Sequence, residues 1–210
     1  MPGTTSESVE GGTRPPRERI LDAAEFCFWE LGVPEASLRR IAEQAGVSKS
    51  LVLYHFESKE RLFVAVQIRI YERLAVRVKD LVRSGTTAAQ RGLLGLDELF
   101  ASCLEQNDFA AHVMFCAQAL SDARLRLEVA QMRADLHRLL TDTIAEIIDD
   151  EHALPVSYEV AADVLTAMLS GLGMQAALGD PPKRLEGARS GLRTLIASAL
   201  QQASTNGASA

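Results

Sequence analysis

Apolar positions along this chain recur three and four residues apart, which is the spacing of one helix face, from about residue 17 to residue 202. We find no run that alternates apolar and polar residues as a half-buried strand does. The pattern therefore predicts an all-α protein. The predicted helices lie at 17–31, between Ser37 and Gly46, between Ser48 and Phe56, from Ser58 to near Gly85, and at 94–105, 109–120, 122–149, 157–178 and 183–202.

Two of the short helices form the most informative stretch, residues 37–56. Ser37 and Ser48 can each accept a hydrogen bond from a free amide at a helix start. Gly46 stands between them and can adopt a positive φ, so the backbone can turn sharply from one helix into the next. Ala42 lets the two helices cross closely over a small core that includes Ile41 and Val52. This arrangement predicts a helix-turn-helix.

The second of these helices has two different sides. Ser48, Val52, His55 and Phe56 share the inner side, whereas the outer side carries a cation, a hydroxyl, an alkyl group and a phenol. Such groups suit contacts with phosphates, base edges and a thymine methyl in a DNA major groove. The outer residues are Lys49, Ser50, Leu53 and Tyr54. The alternative is a helical hairpin of a larger bundle with an ordinary solvated face.

Charge is unevenly distributed and changes this picture only slightly. The net charge is −6, but residues 1–84 carry 13 Lys and Arg against 12 Asp and Glu, a balance of +1, so the acid lies mostly in residues 85–210. Because the first part is not strongly basic, the charge argument for nucleic acid depends on where its cations point. The long fourth helix begins with Lys59 beside unpaired backbone amides, a place that attracts phosphate.

Composition excludes several other classes. Residues 1–13 lack the cationic and apolar segments of a signal peptide, and the longest uncharged run, 164–179, is shorter than the roughly 20 residues of a membrane span. The three cysteines are scattered, which indicates reduced thiols in the cytoplasm. We expect no metal, no cofactor and no membrane partner. The four histidines show no metal-ligand spacing, although catalytic groups assembled only on folding stay an alternative.

The helix at 157–178 carries no charge over residues 164–179, and a helix that is apolar all round must be covered all round. The rest of the chain can cover only part of it. We therefore expect a homodimer in which Ala167, Gly171 and Gly173 allow close approach and the 183–202 helix shares the interface. The alternative is the central helix of a monomeric bundle.

Residues 17–63 resemble the TetR family of one-component transcriptional regulators. The motifs that carry the resemblance are RERILDAA at 17–24, SLRRIAEQAGVS at 37–48, YHF at 54–56 and SKERLF at 58–63. Leu169 to Leu172 resembles an Asp-Gly-Leu turn of the family's dimer helix, with Ser170 in place of the acid. The resemblance implies a DNA-binding domain at 14–60 and a ligand-binding and dimerisation domain at 61–202. The small, polar composition of residues 1–13 and 203–210 predicts a disordered tail at each end.

The resemblance also implies roles for individual residues. Ser37 and Arg39 would contact backbone phosphate, Lys59 would hold a phosphate, and Leu53 stands where many members have Tyr. The groove residues would be Ser48, Lys49, Ser50, Tyr54 and His55, with core packing an equal alternative for His55. The implied function is a repressor that binds a palindromic operator in double-stranded DNA as a dimer and is released by a small-molecule effector. A dimeric helical adaptor without DNA binding is the other reading that the sequence leaves open.

The effector is the least constrained part of the interpretation. Apolar and Met-lined interiors fit a largely apolar ligand. The candidate pocket residues are Phe100, Cys103, Leu104, His112, Met114, Phe115, Gln118, Met168, Met174 and Gln175. For His112, an ordinary core histidine is the main alternative to a ligand contact.

Overall fold

The computed structural model describes residues 14–105, 108–148 and 154–207, with side chains described except at 103–105, 108–111 and 201–207. Within these residues the chain forms nine α-helices and no strand, which confirms the all-α prediction. Both Cys103 and Leu104 fall among the side chains that are not described, and the 1–13 tail lies outside the described residues. The helices are α1 Pro16–Leu31, α2 Leu38–Ala45, α3 Lys49–Phe56, α4 Lys59–Val82, α5 Ala88–Glu105, α6 Asp108–Gln118, α7 Ala123–Ile147, α8 Tyr158–Ala177 and α9 Pro182–Gly207.

Two helices are longer than the sequence pattern predicts. Helix α5 begins at Ala88 rather than near Leu94, because Thr87 Oγ1 accepts the Gln90 amide (3.2 Å) and caps the extra turns. Gly95 lets α5 pack closely on α4, because an added Cβ there would lie only 3.2 Å from Val78 Cγ1. Helix α9 continues to Gly207, about one turn beyond the predicted end.

The first three helices and the start of α4 form a unit that we call the head, residues 14–66. Its core is built on α1, where Ile20 and Ala24 are fully buried and Cys27 is 4% exposed. Leu31, at the end of α1, is 36% exposed and does not join this core. Near the end of α4, Leu81 is exposed and Val82 is buried, because the buried face of the helix has drifted by one position there.

The core of the head does not stop at the predicted boundary near residue 60. The ring of Phe63 packs edge-on against Phe28 of α1 at 5.2 Å and against Phe115 of α6 at 4.4 Å between centroids. The same buried cluster includes Leu125 and Met132 of α7. The head therefore shares one continuous apolar core with α6 and α7.

The rest of the chain packs around α4, α5, α7 and α8. One buried cluster joins α4 to α7 and α8 through Val78, Ile144 and Ala162, and another joins α5 to α8 through Phe100 and Leu172. Helix α9 closes over α5, where Arg193 Nε donates to both carboxylate oxygens of Asp97 at 3.2 and 3.0 Å.

Helix α8 keeps an apolar side uncovered within the described chain. Its exposed positions are spaced four and three residues apart, as on a helix seam, and an added Cβ at Gly171 would meet no described atom within 4 Å. These positions are Val160, Val164, Ala167, Gly171, Met174 and Leu178. We call this set the α8 seam.

Gly173 does not belong to the α8 seam. It is buried beside Leu172 on the opposite side of α8, so its predicted place at a surface for a second copy is wrong, whereas Ala167 and Gly171 are exposed as predicted. By length and composition alone α8 could also cross a membrane. An interface helix passes the same test, since either environment covers an apolar surface.

Candidate nucleic-acid interface

The turn between α2 and α3 is built as the sequence predicts. Ser37 Oγ accepts the Arg40 amide at 3.3 Å, and Ser48 Oγ accepts the Leu51 amide at 3.1 Å, so each short helix has a side-chain cap. Gly46 ends α2 at φ 64° and ψ 40°, the left-handed conformation that favours glycine. These local features fix the crossing of the two helices.

The underside of α3 is closed by apolar residues. Ile41 and Val52 are fully buried and Ala42 is 3% exposed, so no room remains for a larger side chain at the crossing. Val47 is partly buried against the same cluster, and Phe56 is buried at the end of α3. Helix α3 is therefore held by its inner side and presents its outer side to solvent.

The outer side of α3 carries the four residues that the sequence placed there, and all four are exposed. Tyr54 is the most prominent, with 80% of its surface exposed. Lys49 stands at the first turn of the helix, followed by Ser50, whose Oγ lies 2.9 Å from Ser48 Oγ. Leu53 is 37% exposed beside them. The surface thus offers a cation, hydroxyls, a phenol and an alkyl group.

The remaining predicted contacts lie around this surface. His55 is half-buried, with its ring edge-on to Tyr54 at 5.3 Å and tilted against Phe56, so it supports the outer side. Arg39 is exposed on α2 and its Nε donates to Glu43 at 2.9 Å. This hydrogen bond raises the pKa of the Arg39 guanidinium, which stays cationic.

Lys59 is engaged in the structure. Its Nζ donates to the backbone carbonyls of Val33 (3.0 Å) and Pro34 (3.3 Å), in the turn between α1 and α2. The ammonium group thus joins the start of α4 to the entry of the helix-turn-helix. Its predicted phosphate contact stays a prediction.

Arg17 was missed by sequence reasoning. Its guanidinium carbon lies 5.3 Å from the centroid of the Phe56 ring, which places a cation at the end of the recognition helix α3. The signal was present as an exposed arginine in the first turn of α1. Only the tertiary fold, however, brings the start of α1 next to the end of α3.

Ion pairs join α1 to α4 along the side of the head. The Arg69 guanidinium, 14% exposed, binds Asp22 at 2.8 Å and Glu25 at 2.6 Å, and Arg73 also binds Glu25. Burial opposes ionisation of Glu25, but the hydrogen bonds from Arg73 and Arg69 outweigh it and lower the pKa of the carboxyl group. The head and the first half of α4 are therefore held together by charge as well as by packing.

Between the head and α7 lies an open cleft of about 730 Å³. Its walls are the turn at Val33, the start of α4 and the start of α7, and Phe115 and Gln118 of α6 form part of the lining. Arg61 of α4 reaches across to α7, where its Nε donates to Glu128 Oε1 at 3.0 Å. The cleft is thus bridged by an ion pair.

The predicted effector residues do not converge on one cavity in the described part of the chain. Phe100 is fully buried between α5 and α8, whereas Phe115 packs into the core of the head. Met114 and Met174 are 52% and 46% exposed, so neither lines an interior. Gln118 lies at the cleft, while Met168 and Gln175 are partly buried on α8.

His112 occupies a buried position beneath the head. Its Nε2 lies 3.6 Å from Cys116 Sγ, one helical turn along α6, and its ring meets Tyr71 of α4 edge-on at 6.3 Å. Burial, helped by the positive charge of Arg133, lowers the pKa of His112 to about 4. Burial also raises the pKa of the Cys116 thiol, so both groups are neutral near pH 7. Sequence reasoning overlooked this four-residue spacing.

The capped helix pair, with its exposed recognition helix on an all-α body, defines a DNA-binding transcriptional regulator of the helix-turn-helix class. The sequence profile described as "Bacterial regulatory proteins, tetR family" matches residues 20–66, and that of "BetI-type transcriptional repressor, C-terminal" matches residues 88–201. The chain belongs to the TetR family. Members of this family bind DNA and small-molecule effectors, typically as dimers, and are not enzymes, which confirms the regulator interpretation over the enzyme alternative.

Named relatives agree with this assignment. The chain is similar to the HTH-type transcriptional repressor Rv1474c of Mycobacterium tuberculosis, with 30% identity over 174 residues that cover 80% of this chain and 86% of the relative. It is also similar to the HTH-type transcriptional repressor AcnR of Corynebacterium efficiens, with 30% identity over 67% of this chain and 79% of the relative.

Solved structures share the fold. A TetR transcription regulator from Haloarcula marismortui superposes with a TM-score of 0.65 at 26% identity, covering 88% of this chain and 97% of the other. The transcriptional regulator FadR from Bacillus subtilis, solved in complex with stearoyl-CoA, gives a TM-score of 0.62 at 18% identity, covering 87% and 98%. At 18% identity, the similarity to FadR concerns the fold alone.

Proposed function

We propose that this protein is a cytoplasmic repressor that binds a palindromic operator as a homodimer and leaves it when a small-molecule effector binds. The observation that carries the proposal is the exposed outer side of α3, with Lys49, Ser50, Leu53 and Tyr54 on a helix that is anchored from beneath. Relatives at 30% identity that are named as repressors support the direction of regulation.

Recognition by α3 would combine two kinds of contact. Lys49 and the hydroxyl groups of Ser50 and Tyr54 suit phosphates or base edges, whereas the Leu53 side chain suits the methyl group of thymine. Ser48, which caps α3, and His55, which supports Tyr54, complete the groove side. Ser37 and Arg39 lie on the neighbouring helix start, where they would meet the phosphate backbone.

The homodimer would form through the α8 seam and the adjoining side of α9. The exposed face of α9 includes Gly187, Gly191 and Leu195, the last 70% exposed, and an added Cβ at either glycine would meet no described atom within 4 Å. Small residues on both helices allow their backbones to approach a second copy closely. A twofold pair of this kind places two heads on one operator, with half-sites about one DNA turn apart.

We propose that the effector is largely apolar and binds near the cleft and the buried side of α6. Phe115 and Leu125 give the cleft an apolar floor, and a ligand there would press on the packing between Phe63 and Phe115. Such a ligand must bind the released arrangement of the heads more tightly, by roughly 5.5 kcal/mol to reverse a 1:99 balance.

The test is selection of bound fragments from random duplex DNA by the full-length protein at moderate salt. The expected result is one enriched palindrome whose half-sites lie about 10 base pairs apart centre to centre. Enrichment of no palindrome would refute the repressor proposal and favour the helical adaptor.

The variants Lys49→Ala and Lys59→Ala then separate two roles on the selected operator. Both should weaken binding, and Lys59→Ala should do so without changing the preferred sequence, because a phosphate contact carries no base information. Lys59→Ala that relaxes the base preference at one position would contradict a phosphate role. Lys79→Ala, which removes a cation on α4 paired with Glu146 at 2.7 Å, serves as the control away from the head.

A further inference from the structure

The junction between α3 and α4 has an unusual backbone. Glu57, the residue that joins the two helices, has φ 62° and ψ −43°, and it is the one described residue other than glycine with a positive φ. The Ser58 amide donates to the Phe56 carbonyl at 2.6 Å, which closes a three-residue γ-turn around Glu57. A γ-turn of this hand is rare and strained for a residue with a side chain, so its surroundings must hold it in place.

The side chain of Arg61 holds this turn. Its Nη1 donates to the Glu57 carboxylate, and its Nε donates to Glu128 Oε1 of α7 at 3.0 Å. One guanidinium thus connects the residue that ends the recognition helix to a helix of the second domain. The hydrogen bond that Arg61 donates to Glu128, followed by the charges of Glu128 and Glu57, raises the pKa of Arg61, so the guanidinium stays cationic.

Other contacts between the head and α6 or α7 have a different character. The packing of Phe63 on Phe115 is apolar, with ring centroids 4.4 Å apart, and the hydrophobic attraction that holds it is not directional. A charge-assisted hydrogen bond is directional and fixes orientation as well. Arg61 is therefore placed to set the angle of the head on α7.

We propose that Arg61 is a positioning residue for DNA recognition, which fixes the γ-turn at Glu57 against Glu128 and so sets the spacing of the two α3 helices in the dimer. This inference rests on the proposed function, since it presupposes two heads on one operator. In this proposal Arg61 acts through Glu57 and Glu128 and does not itself contact DNA.

The experiment repeats the selection from random duplex DNA with full-length variants and scores the half-site spacing separately from the base preference. The variants are Arg61→Gln, Glu128→Gln and the double variant. Glu128 lies on α7, so its substitution removes the negative charge that Arg61 binds there without changing a residue of the head. Arg138→Gln is the matched control, because Arg138 pairs with Asp135 at 3.4 Å within α7 alone.

We expect the native protein and Arg138→Gln to select a single spacing. Arg61→Gln and Glu128→Gln should each accept spacings one base pair shorter or longer, with unchanged base preference within the half-site. Binding to the native operator should weaken about two- to fivefold, the range of a partly exposed ion pair. The double variant should resemble either single variant, because both remove the same connection.

Three outcomes would overturn the inference. Glu128→Gln with the native spacing would show that the connection to α7 does not position the head. Arg61→Gln that alone weakens binding, with a reduced salt dependence, would identify Arg61 as a phosphate contact. A lowered melting temperature with native spacing in both variants would mean a role in stability only. Failure of the native protein to select any palindrome would instead refute the proposed function.

Discussion

The head buries most of its apolar residues, whereas the α8 seam exposes them. In the head, Ile20, Ile41 and Val52 are fully buried by residues of the same chain, and the recognition helix rests on a finished core. In α8, Val164 is 47% exposed and Leu178 is 79% exposed, although the helix is the most apolar of the long ones. A single chain therefore buries the core of the head fully, whereas it leaves the α8 seam exposed.

The difference in burial fits the two regions' different roles, DNA recognition for the head and, as we propose, dimerisation for the α8 seam. A recognition surface must be rigid before it meets DNA, so its supports are internal: caps, a left-handed glycine and a closed core. A surface that joins two identical chains must stay open in each of them until they meet.

Gly171→Leu should abolish the dimer while leaving the chain folded. A Cβ at this position would meet no described atom within 4 Å, but a Leu side chain would overpack a twofold contact twice, which costs about 2–6 kcal/mol of association free energy. Sedimentation velocity should show monomers with native helical content by circular dichroism. Ala130→Leu, at an exposed position of α7, is the control that should stay dimeric. A dimeric Gly171→Leu protein would move the interface away from the α8 seam.

Phe63→Ala should destabilise the head and α6 together. The side chain is 1% exposed and contacts rings on both sides, so its removal leaves a cavity and costs about 3–5 kcal/mol of unfolding free energy. Urea unfolding followed by circular dichroism measures the change. Phe26→Ala, at a position 53% exposed on α1, should change the stability by about 0.5 kcal/mol or less. Similar values for both variants would contradict a shared core.

Acidification should destabilise the junction beneath the head through His112. Its pKa is lowered to about 4 in the folded protein from 6.5, so the unfolded chain binds the proton more readily between these values. Stability present above pH 6.5 is therefore lost as the pH falls toward 4, by no more than about 3 kcal/mol. Urea unfolding of His112→Gln at pH 7.5 and pH 5 should show a smaller loss than the native protein. An equal loss in both proteins would assign the pH dependence to other groups.

Gly46→Ala should weaken the helix-turn-helix modestly. At φ 64° a Cβ strains the backbone by about 1–2 kcal/mol, which thermal unfolding can measure. Gly46→Asn should cost less, because Asn tolerates the left-handed conformation better. The nearest atom to an added Cβ at Gly46 is Arg19 Nη1 at 3.7 Å, which leaves room for the side chain. An equal loss of stability in the Ala and Asn variants would therefore contradict the role of backbone conformation.

Local features were readable from the sequence, and features that depend on distant partners were not. Ser37, Gly46 and Ser48 act on amides and carbonyls within four residues, so their roles follow from their order in the chain. The predicted start of α5 near Leu94 excluded Gly92. In the fold, an added Cβ at Gly92 would lie 3.4 Å from Ile148 Cδ1 and one at Gly95 3.2 Å from Val78 Cγ1, so both glycines allow close packing against distant residues.

The candidate effector residues show most clearly what the sequence pattern leaves undetermined. The sequence predicted Phe100 and Phe115 together as candidate pocket residues, but it could not tell that one packs between α5 and α8 and the other into the head. Gly171 and Gly173 are a different case, because they are two residues apart and helical periodicity alone places them on different sides of α8. Periodicity gives the sides of a helix, but the identity of the neighbour on each side depends on packing.

From the sequence alone one can derive the all-α class, the caps at Ser37 and Ser48, the turn at Gly46 and the four residues on the outer side of α3, because these depend on interactions within one or two helical turns. Only the tertiary structure decided that α6 and α7 complete the core of the head, that Arg61 joins Glu57 to Glu128, and that the α8 seam stays open. Arg61 and Glu128 are 67 positions apart, and no local pattern records which distant surfaces will meet.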